Sequence, residues 1–532
     1  MITRRDVMRL GAAVAVLPFV NVLASAKTPD GVVVMAKAID DITTGFDPAE
    51  VFDFSNNEVC GNIYQSLCTV DPADSTKIIG DLAERWEVSA DGTEYTFYLQ
   101  KDAKFPSGNP VVAEDVAYSL RRAVKMGLGQ SQYIAQFGFT ADNVDQRIRT
   151  DGPDRVVLTL AQLWSSTLVL ACLSTNAGGV VEKAAVEANT AGSDFGNKWL
   201  RTNSAGSGPY QLKEWEAADR VILTANPNAR VHPSVSRFIV RHVAESPTQL
   251  LLVKKRDVDV ARNLGADELR SINSDADISK ATASVFTQFY IAMNGSTDQL
   301  KSQKITQAIK WAIDYESIAN NITPGLWDNW QSFLPKGSAG AVTDNPFRRD
   351  LDRAKALMKE AGLEGGFEVT LDHYATWPAP NIAQVLQANL AEIGITVRLL
   401  AGELGQVSTK MRSRQHQLAL AYWGADYVDP NMNSQAFCLN VDDSDGSATK
   451  YPAWRCHYSD EEMNKSVSAA VRELDLEKRL GIYRAIQTRF FETAPFAFLL
   501  QQRDVAAMAK GVSGYDIGPL VNVNRYAGIT KS

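Results

Sequence analysis

The sequence predicts an α/β protein of two lobes, with an additional α+β portion in its N-terminal half. Three observations carry this expectation. The chain has 532 residues, several times the usual single-domain length. From Lys355 onward helix and strand patterns alternate regularly. The first half instead mixes short strands, turns and a helix that do not form βαβ units. Hydrophobic residues at 45% and charged residues at 22% are the balance of a folded globular chain. Lys+Arg 54 against Asp+Glu 62, a net charge of −8 and a pI near 5.4 argue against a nucleic-acid surface, because phosphates would be repelled.

Leu10 to Leu23 is an apolar run, shorter than the roughly 20 residues a membrane span needs. Arg4, Arg5 and Arg9 precede it and Ala24-Ser25-Ala26 follows it, the layout of a signal peptide cleaved near Ala26. Residues 1–26 are therefore expected to be removed on export, and the mature protein to be free in the periplasm with a net charge of −10. Thr3-Arg4-Arg5-Asp6-Val7-Met8-Arg9 is similar to a twin-arginine signal, with Val7 where Phe is usual, so twin-arginine and Sec export both remain open. A lipoprotein is disfavoured, since the first cysteine is Cys60.

In chain order, Tyr95 to Leu99 alternates as a strand, and Gly92, Pro106, Gly108 and Pro110 mark turns before a helical Glu114 to Val124. Val221 to Thr224 is a strand following Gly206-Ser207-Gly208-Pro209-Tyr210. Ile305, Ala308, Ile309, Ala312 and Ile313 form the apolar stripe of a helix. Asp350 is placed to cap a helix carrying Leu351, Ala354, Leu357, Met358 and Ala361, ended by Gly362. Phe367, Val369 and Leu371 alternate as a strand, a helix over about 383–393 stops at Gly394, and Ile395 to Leu399 is the next strand. After a short helix near 404–412, Leu418 to Trp423 completes a parallel sheet. Ligands bind at the carboxyl ends of such strands.

Five cysteines allow at most two bridges. Cys438 and Cys456 are the best candidates for a disulfide, because they flank a loop rich in Asp, Ser, Gly and Pro in an oxidising compartment. Cys60, Cys68 and Cys172 lie among apolar residues and read as small buried hydrophobes. The five histidines are scattered, without His-x-x-x-His or Cys-x-x-Cys, so no metal site is expected. Neither a Gly-x-Ser-x-Gly elbow nor a P-loop occurs, no cofactor is expected, and the chain does not read as an enzyme.

Several stretches together resemble the bacterial extracellular solute-binding protein family 5, the dipeptide-, oligopeptide- and nickel-binding components of ABC importers. They are Asp81 to Trp86 continuing through Ser89-Ala90-Asp91-Gly92-Thr93 to Phe105-Pro106-Ser107-Gly108 and Ala113 to Val116, then Gly206 to Tyr210 with Asn226-Pro227-Asn228. Asn294, Ile305 to Ile318, Gly325, Leu334-Pro335 and Asp350 to Gly362 extend the likeness. The resemblance implies a two-lobed periplasmic binding protein, type II-like, with an extra N-terminal α+β subdomain. Lobe I would span 27–280, including the subdomain at about 70–205, lobe II 281–498, and 499–532 would return to lobe I. It also implies a monomer that closes on a small solute, a peptide first, and delivers it to its ABC permease.

Tyr422-Trp423-Gly424-Ala425-Asp426 follows the last parallel strand and is similar to the family's peptide-site motif. That likeness makes Asp426 the expected partner of a ligand ammonium and Trp423 an apolar wall. Asp429, before Pro430, reads as a turn former. Thr43 and Thr44 look like the family's opening segment, whose backbone pairs with an extended ligand. Trp377 is a further candidate from a βα loop. The alternatives are a receptor for an opine, sugar conjugate or other amine-bearing solute and, from a different class, an exported hydrolase using a pair of carboxylates that no spacing selects.

Overall fold

The computed structural model describes residues 27–532. The expected signal peptide therefore lies outside the described residues. Among those residues, eleven strands form one continuous sheet that passes from one lobe to the other. In lobe I, β1 (Val32–Lys37) pairs in parallel with Arg237–His242, and α1 (Phe54–Ile63) follows β1 after a loop. The subdomain holds a four-stranded antiparallel sheet that includes Glu94–Leu99, covered by α2 (Ala113–Met126).

Two long strands cross between the lobes, β2 (Ile278–Met293) and, at the far end of lobe II, the strand Phe496–Ala509. They pair antiparallel from Ile278↔Ala509 to Ala292↔Phe496, with a register break between Ser284 and Gln288. At this break the side chains part company: Val285 enters the lobe I core, Phe286 the subdomain core and Phe289 the lobe II core. The backbone freed by the break still has partners. Phe286 N–H donates to Pro519 C=O at 2.8 Å, and Phe286 C=O accepts from Ala425 at 2.9 Å. Unpaired buried amides would otherwise be costly.

Lobe II follows the predicted pattern. After α3 (Gln303–Ala312) comes α4 (Leu351–Glu360), capped by the Asp350 carboxylate on Arg353 N–H at 3.0 Å, with Gly362 left-handed at φ 72°. Strand β3 (Phe367–Tyr374), α5 (Ala379–Ala391), β4 (Ile395–Gly402), α6 (Leu404–Arg412) and β5 (Leu418–Gly424) then form parallel βαβ units in the order β4-β3-β5. Helix α5 starts four residues before its expected beginning, because Pro380 suits its first turn. Beyond β5 lie α7 (Asn431–Cys438) and the 18-residue α8 (Leu476–Thr493). Strand β5 pairs antiparallel with β2, so its carboxyl end, Gly424, lies beside Thr287 near the crossing.

The expected Cys438–Cys456 bridge is corrected here: both are free, buried thiols. The loop between them is closed by other bonds. Arg414 binds Asp443 at 2.7 Å and stacks 3.4 Å from the Trp454 ring centroid, Trp454 Nε1 donates to Ser444 C=O at 2.9 Å, and Asn464 holds both backbone groups of Asn440. A crosslink is not needed to order it. Cys60, Cys68 and Cys172 are buried among apolar residues, as expected.

A buried charge cluster ties α1 to the crossing strand. Glu58, fully buried, accepts from Lys37 at 2.5 Å, Arg262 at 2.8 Å, and the Tyr515 and Tyr526 hydroxyls at 2.8 and 3.0 Å. Arg262 also binds Asp504 on the strand Phe496–Ala509 at 2.5 Å. Burial alone would raise the Glu58 pKa, but Arg262 and Lys37 outweigh it and hold the carboxyl well below the usual range. Glu58→Gln leaves two cations short of one counter-charge and is expected to cost about 3–5 kcal/mol in denaturant unfolding at pH 7. Because the folded pKa is depressed, the stability it supplies is present above about pH 4.3 and is lost as pH falls toward the folded value. The difference between wild type and variant should therefore shrink in acid, and a constant difference down to pH 2 contradicts the assignment.

Candidate functional site

The segment after β5 is held from three sides. Asp429 is buried and receives both Nη groups of Arg479, on α8, at 2.6 and 2.7 Å, the Thr167 hydroxyl of the subdomain at 3.2 Å, and Asn431 N–H at 2.9 Å. The last bond is the turn role expected for Asp429, while the ion pair was not foreseen. Tyr427, Val428 and Met432 pack into the subdomain core. These contacts fix the turn that carries Asp426.

Asp426 is half-buried, and among the described residues it has no cationic partner. Its Oδ2 accepts from the Tyr133 hydroxyl at 2.5 Å and its Oδ1 from Gln130 Nε2 at 3.3 Å, both donors from the subdomain. Burial raises its pKa, and the Tyr133 and Gln130 hydrogen bonds oppose that rise. A desolvated carboxylate of this kind is stabilised by an arriving cation.

Trp423 is half-buried, donates Nε1–H to Asn433 Oδ1 at 3.0 Å and meets Phe437 edge-on at 5.4 Å. Much of its ring is therefore core. Tyr422 packs against Tyr374 and Phe289, with centroids 5.3 and 5.9 Å apart. Burial raises its pKa, and the charge of Asp41 from lobe I adds to the rise. Ala425 donates its N–H at the strand break, and a β-carbon at Gly424 would touch the Phe54 ring of lobe I at 3.4 Å. The two lobes meet here.

On lobe I, Thr43 gives both its N–H and its hydroxyl to Asp53, at 3.1 and 2.7 Å, while the Thr44 hydroxyl accepts from Asn56 at 3.1 Å. Both threonines lie in the loop after β1 rather than in the strand. Asp41 Oδ2 caps the start of α1 by accepting from Ser55 N–H at 2.9 Å, and its Oδ1 is buried without a partner. Trp377 follows β3 and is 48% exposed. The structure thus brings Tyr422 to Asp426 next to the lobe I loop and the subdomain. It also adds Asp41, Gln130 and Tyr133, which local patterns could not single out: Gln130 and Tyr133 lie nearly 300 residues from Asp426 in sequence.

A model of the family described as "Bacterial extracellular solute-binding proteins, family 5 Middle" matches residues 77–445, and the chain belongs to that family. It is 28% identical over 508 residues to the "Probable D,D-dipeptide-binding periplasmic protein DdpA" of Escherichia coli (strain K12), covering 94% of each chain. Among solved structures it is similar to the "ABC transporter-associated periplasmic binding protein DppA from Helicobacter pylori in complex with peptide STSA", with a TM-score of 0.76, 23% identity, and 94% and 98% of the two chains covered. It also matches the binding protein AgaA of A. tumefaciens R10 in complex with agropinic acid, with a TM-score of 0.74, 21% identity, and 94% and 99% covered. The likeness to these structures extends to the whole two-lobed fold.

Tyr133→Phe removes the shorter hydrogen bond that favours ionised Asp426. A bond to a charged group is worth roughly 1.5–3 kcal/mol, or about one to two pKa units. The Asp426 side-chain carbonyl resonance, followed by NMR through an acid titration without ligand, is expected to move its midpoint up by about that amount. An unmoved midpoint contradicts the contact.

Proposed function

We propose that the chain is the periplasmic receptor of an ABC importer, taking short peptides into the space between its lobes and passing them to a membrane permease. The observation that carries this reading is Asp426, a desolvated carboxylate without a counter-ion among the described residues, fixed at the carboxyl end of β5 where lobe I and the subdomain meet lobe II. An extended solute laid there would put its ammonium on Asp426, and in the same reading Thr43, Thr44, Trp377, Tyr422 and Trp423 are the residues proposed to contact the rest of it. The D,D-dipeptide-binding name of one relative and the peptide in one similar structure support the substrate class. The agropinic acid in another supports an opine as the second reading.

In this reading the lobes are 27–280 with 499–532, and 281–498, with the subdomain at about 70–205. Strands β2 and Phe496–Ala509 act as the hinge, since they run through both divisions. The protein works as an exported monomer after removal of residues 1–26, and it performs no catalysis.

Native mass spectrometry of the protein purified from its host is expected to find a retained amine-bearing solute of unchanged covalent structure. Asp426→Asn should weaken its binding in titration calorimetry by roughly a hundredfold to several thousandfold, the cost of about 3–5 kcal/mol for breaking a closed-in charge pair. Equal affinity for both proteins removes Asp426 from the site. Steady cleavage of a peptide mixture would replace the receptor by a hydrolase.

A further inference from the structure

The five cysteines have no part in the receptor reading. All are free thiols, and none is more than 1% exposed. They are spread over three separate cores: Cys60 in that of lobe I, Cys68 and Cys172 in that of the subdomain, Cys438 and Cys456 in that of lobe II. Their neighbours are oxygen and nitrogen rather than sulfur. Cys60 Sγ donates to Phe46 C=O at 3.5 Å, Cys68 Sγ donates to Leu170 C=O at 3.2 Å, and Cys172 Sγ accepts from Gln136 Nε2 at 3.2 Å. Burial raises the pKa of all five, which keeps them as unreactive thiols once the fold is formed.

That protection needs both ends of the chain. The core around Cys60 includes Tyr526 and Ile529, and the core around Cys68 and Cys172 includes Leu520 and Val523. Lys531 Nζ donates to the carbonyls of Thr28 and Val32 at 2.8 and 2.9 Å and pairs with Asp259 at 3.0 Å, so the penultimate residue fastens the start of β1. A chain threaded unfolded into the periplasm, N-terminus first, would present Cys60, Cys68 and Cys172 before the residues that cover them arrive. There a dithiol oxidant takes two electrons and two protons from a pair of thiols and leaves their sulfurs joined. Cys60 and Cys68, eight residues apart, close the shortest loop of any cysteine pair and so join most readily in an unfolded chain. In the fold they face different cores and are not joined.

The sequence supplies the other route. Thr3-Arg4-Arg5 sets two adjacent arginines before the apolar run Leu10 to Leu23, the mark of twin-arginine export, whose cargo crosses already folded. Lys27, where the described residues begin, is exposed, so a leader joined to it need not be drawn out of the folded body. We propose that the chain folds completely in the reducing cytoplasm and is exported as a folded body by a twin-arginine translocase whose receptor reads Arg4 and Arg5. Folding first is what keeps five thiols free in an oxidising compartment. This rests on the export part of the proposed function and is independent of what the protein binds.

The test is expression of the full chain, leader included, in a Gram-negative host, with the product followed by immunoblot of the cytoplasmic and periplasmic fractions. The wild type is expected in the periplasm, and to be lost from it in a host lacking the twin-arginine translocase. Arg4→Lys combined with Arg5→Lys keeps the positive charge that the Sec route uses but removes the arginine pair, and should leave the precursor in the cytoplasm. The double substitution lies outside the described fold, so failure to fold does not confound it. Wild-type protein from the periplasm, unfolded and alkylated, is expected to carry five labels by mass spectrometry. Exchanging the leader for one that directs Sec export should yield a disulfide-linked product that melts below the wild type, restored in a host without its periplasmic dithiol oxidase.

Undiminished export of the double-lysine variant, or of the wild type without the twin-arginine translocase, overturns the proposal in favour of Sec. A disulfide in the periplasmic wild type also overturns it, as does a Sec-routed chain that keeps five free thiols and the wild-type melting temperature. If the wild type stays in the cytoplasm even of its own host, the export reading fails and the route falls with it, while solute binding by the purified protein is judged separately by the Asp426→Asn titration.

Discussion

The buried pair between Asp429 and Arg479 is the contact on which the site depends. With both partners nearly inaccessible and the bond bidentate, it has little freedom to rearrange. It joins the end of the β5 turn to α8, and through Thr167 it reaches the subdomain. Asp426 stands three residues before this anchor. Its carboxylate stays in one place, half out of water, because the residues after it cannot move. A charge held in this way is poorly solvated before a cation arrives, so less solvation is lost on binding than for a mobile surface aspartate.

The second constraint is the crossing of β2 with Phe496–Ala509. Three neighbouring side chains, Val285, Phe286 and Phe289, enter three different cores within five residues. A regular strand cannot aim side chains in three directions, and the register break between Ser284 and Gln288 is the geometric result. The same break leaves Phe286 C=O for Ala425, so the crossing strand touches the residue next to Asp426. The Glu58 cluster stiffens the other side, binding α1 of lobe I to Asp504 on the crossing strand through Arg262. These contacts leave the short segment between two well-packed bodies as the place for the bending that the proposed closure requires.

Much of lobe II was legible in the sequence because α4, α5 and α6 each have one wet face and one dry face, and caps such as Asp350 and Gly362 mark helix ends. That β3, β4 and β5 run parallel in one sheet followed from the alternation alone. The crossing strand β2 was not legible: its first half alternates, while the second is buried on both faces, so no single period describes it. Asp426 was recognisable through a family likeness, but the donors that hold it, Tyr133 on a helical turn and Gln130 just before that turn, lie in a stretch whose own sequence says nothing of a partner so distant. The Cys438–Cys456 bridge was expected from compartment and loop composition, and both describe a tendency that polar bonds to Asp443, Ser444 and Asn440 made unnecessary.

The central claim is that closure of the lobes is driven by a solute gripped through Asp426. Small-angle X-ray scattering of the mature protein, recorded with and without its retained solute, tests this most directly when Asp426→Asn is measured alongside. The account predicts a smaller radius of gyration for the loaded wild type and an unchanged one for the variant at the same solute concentration. A wild type that binds with measurable heat yet scatters identically in both states, or a variant that contracts just as far, would contradict it.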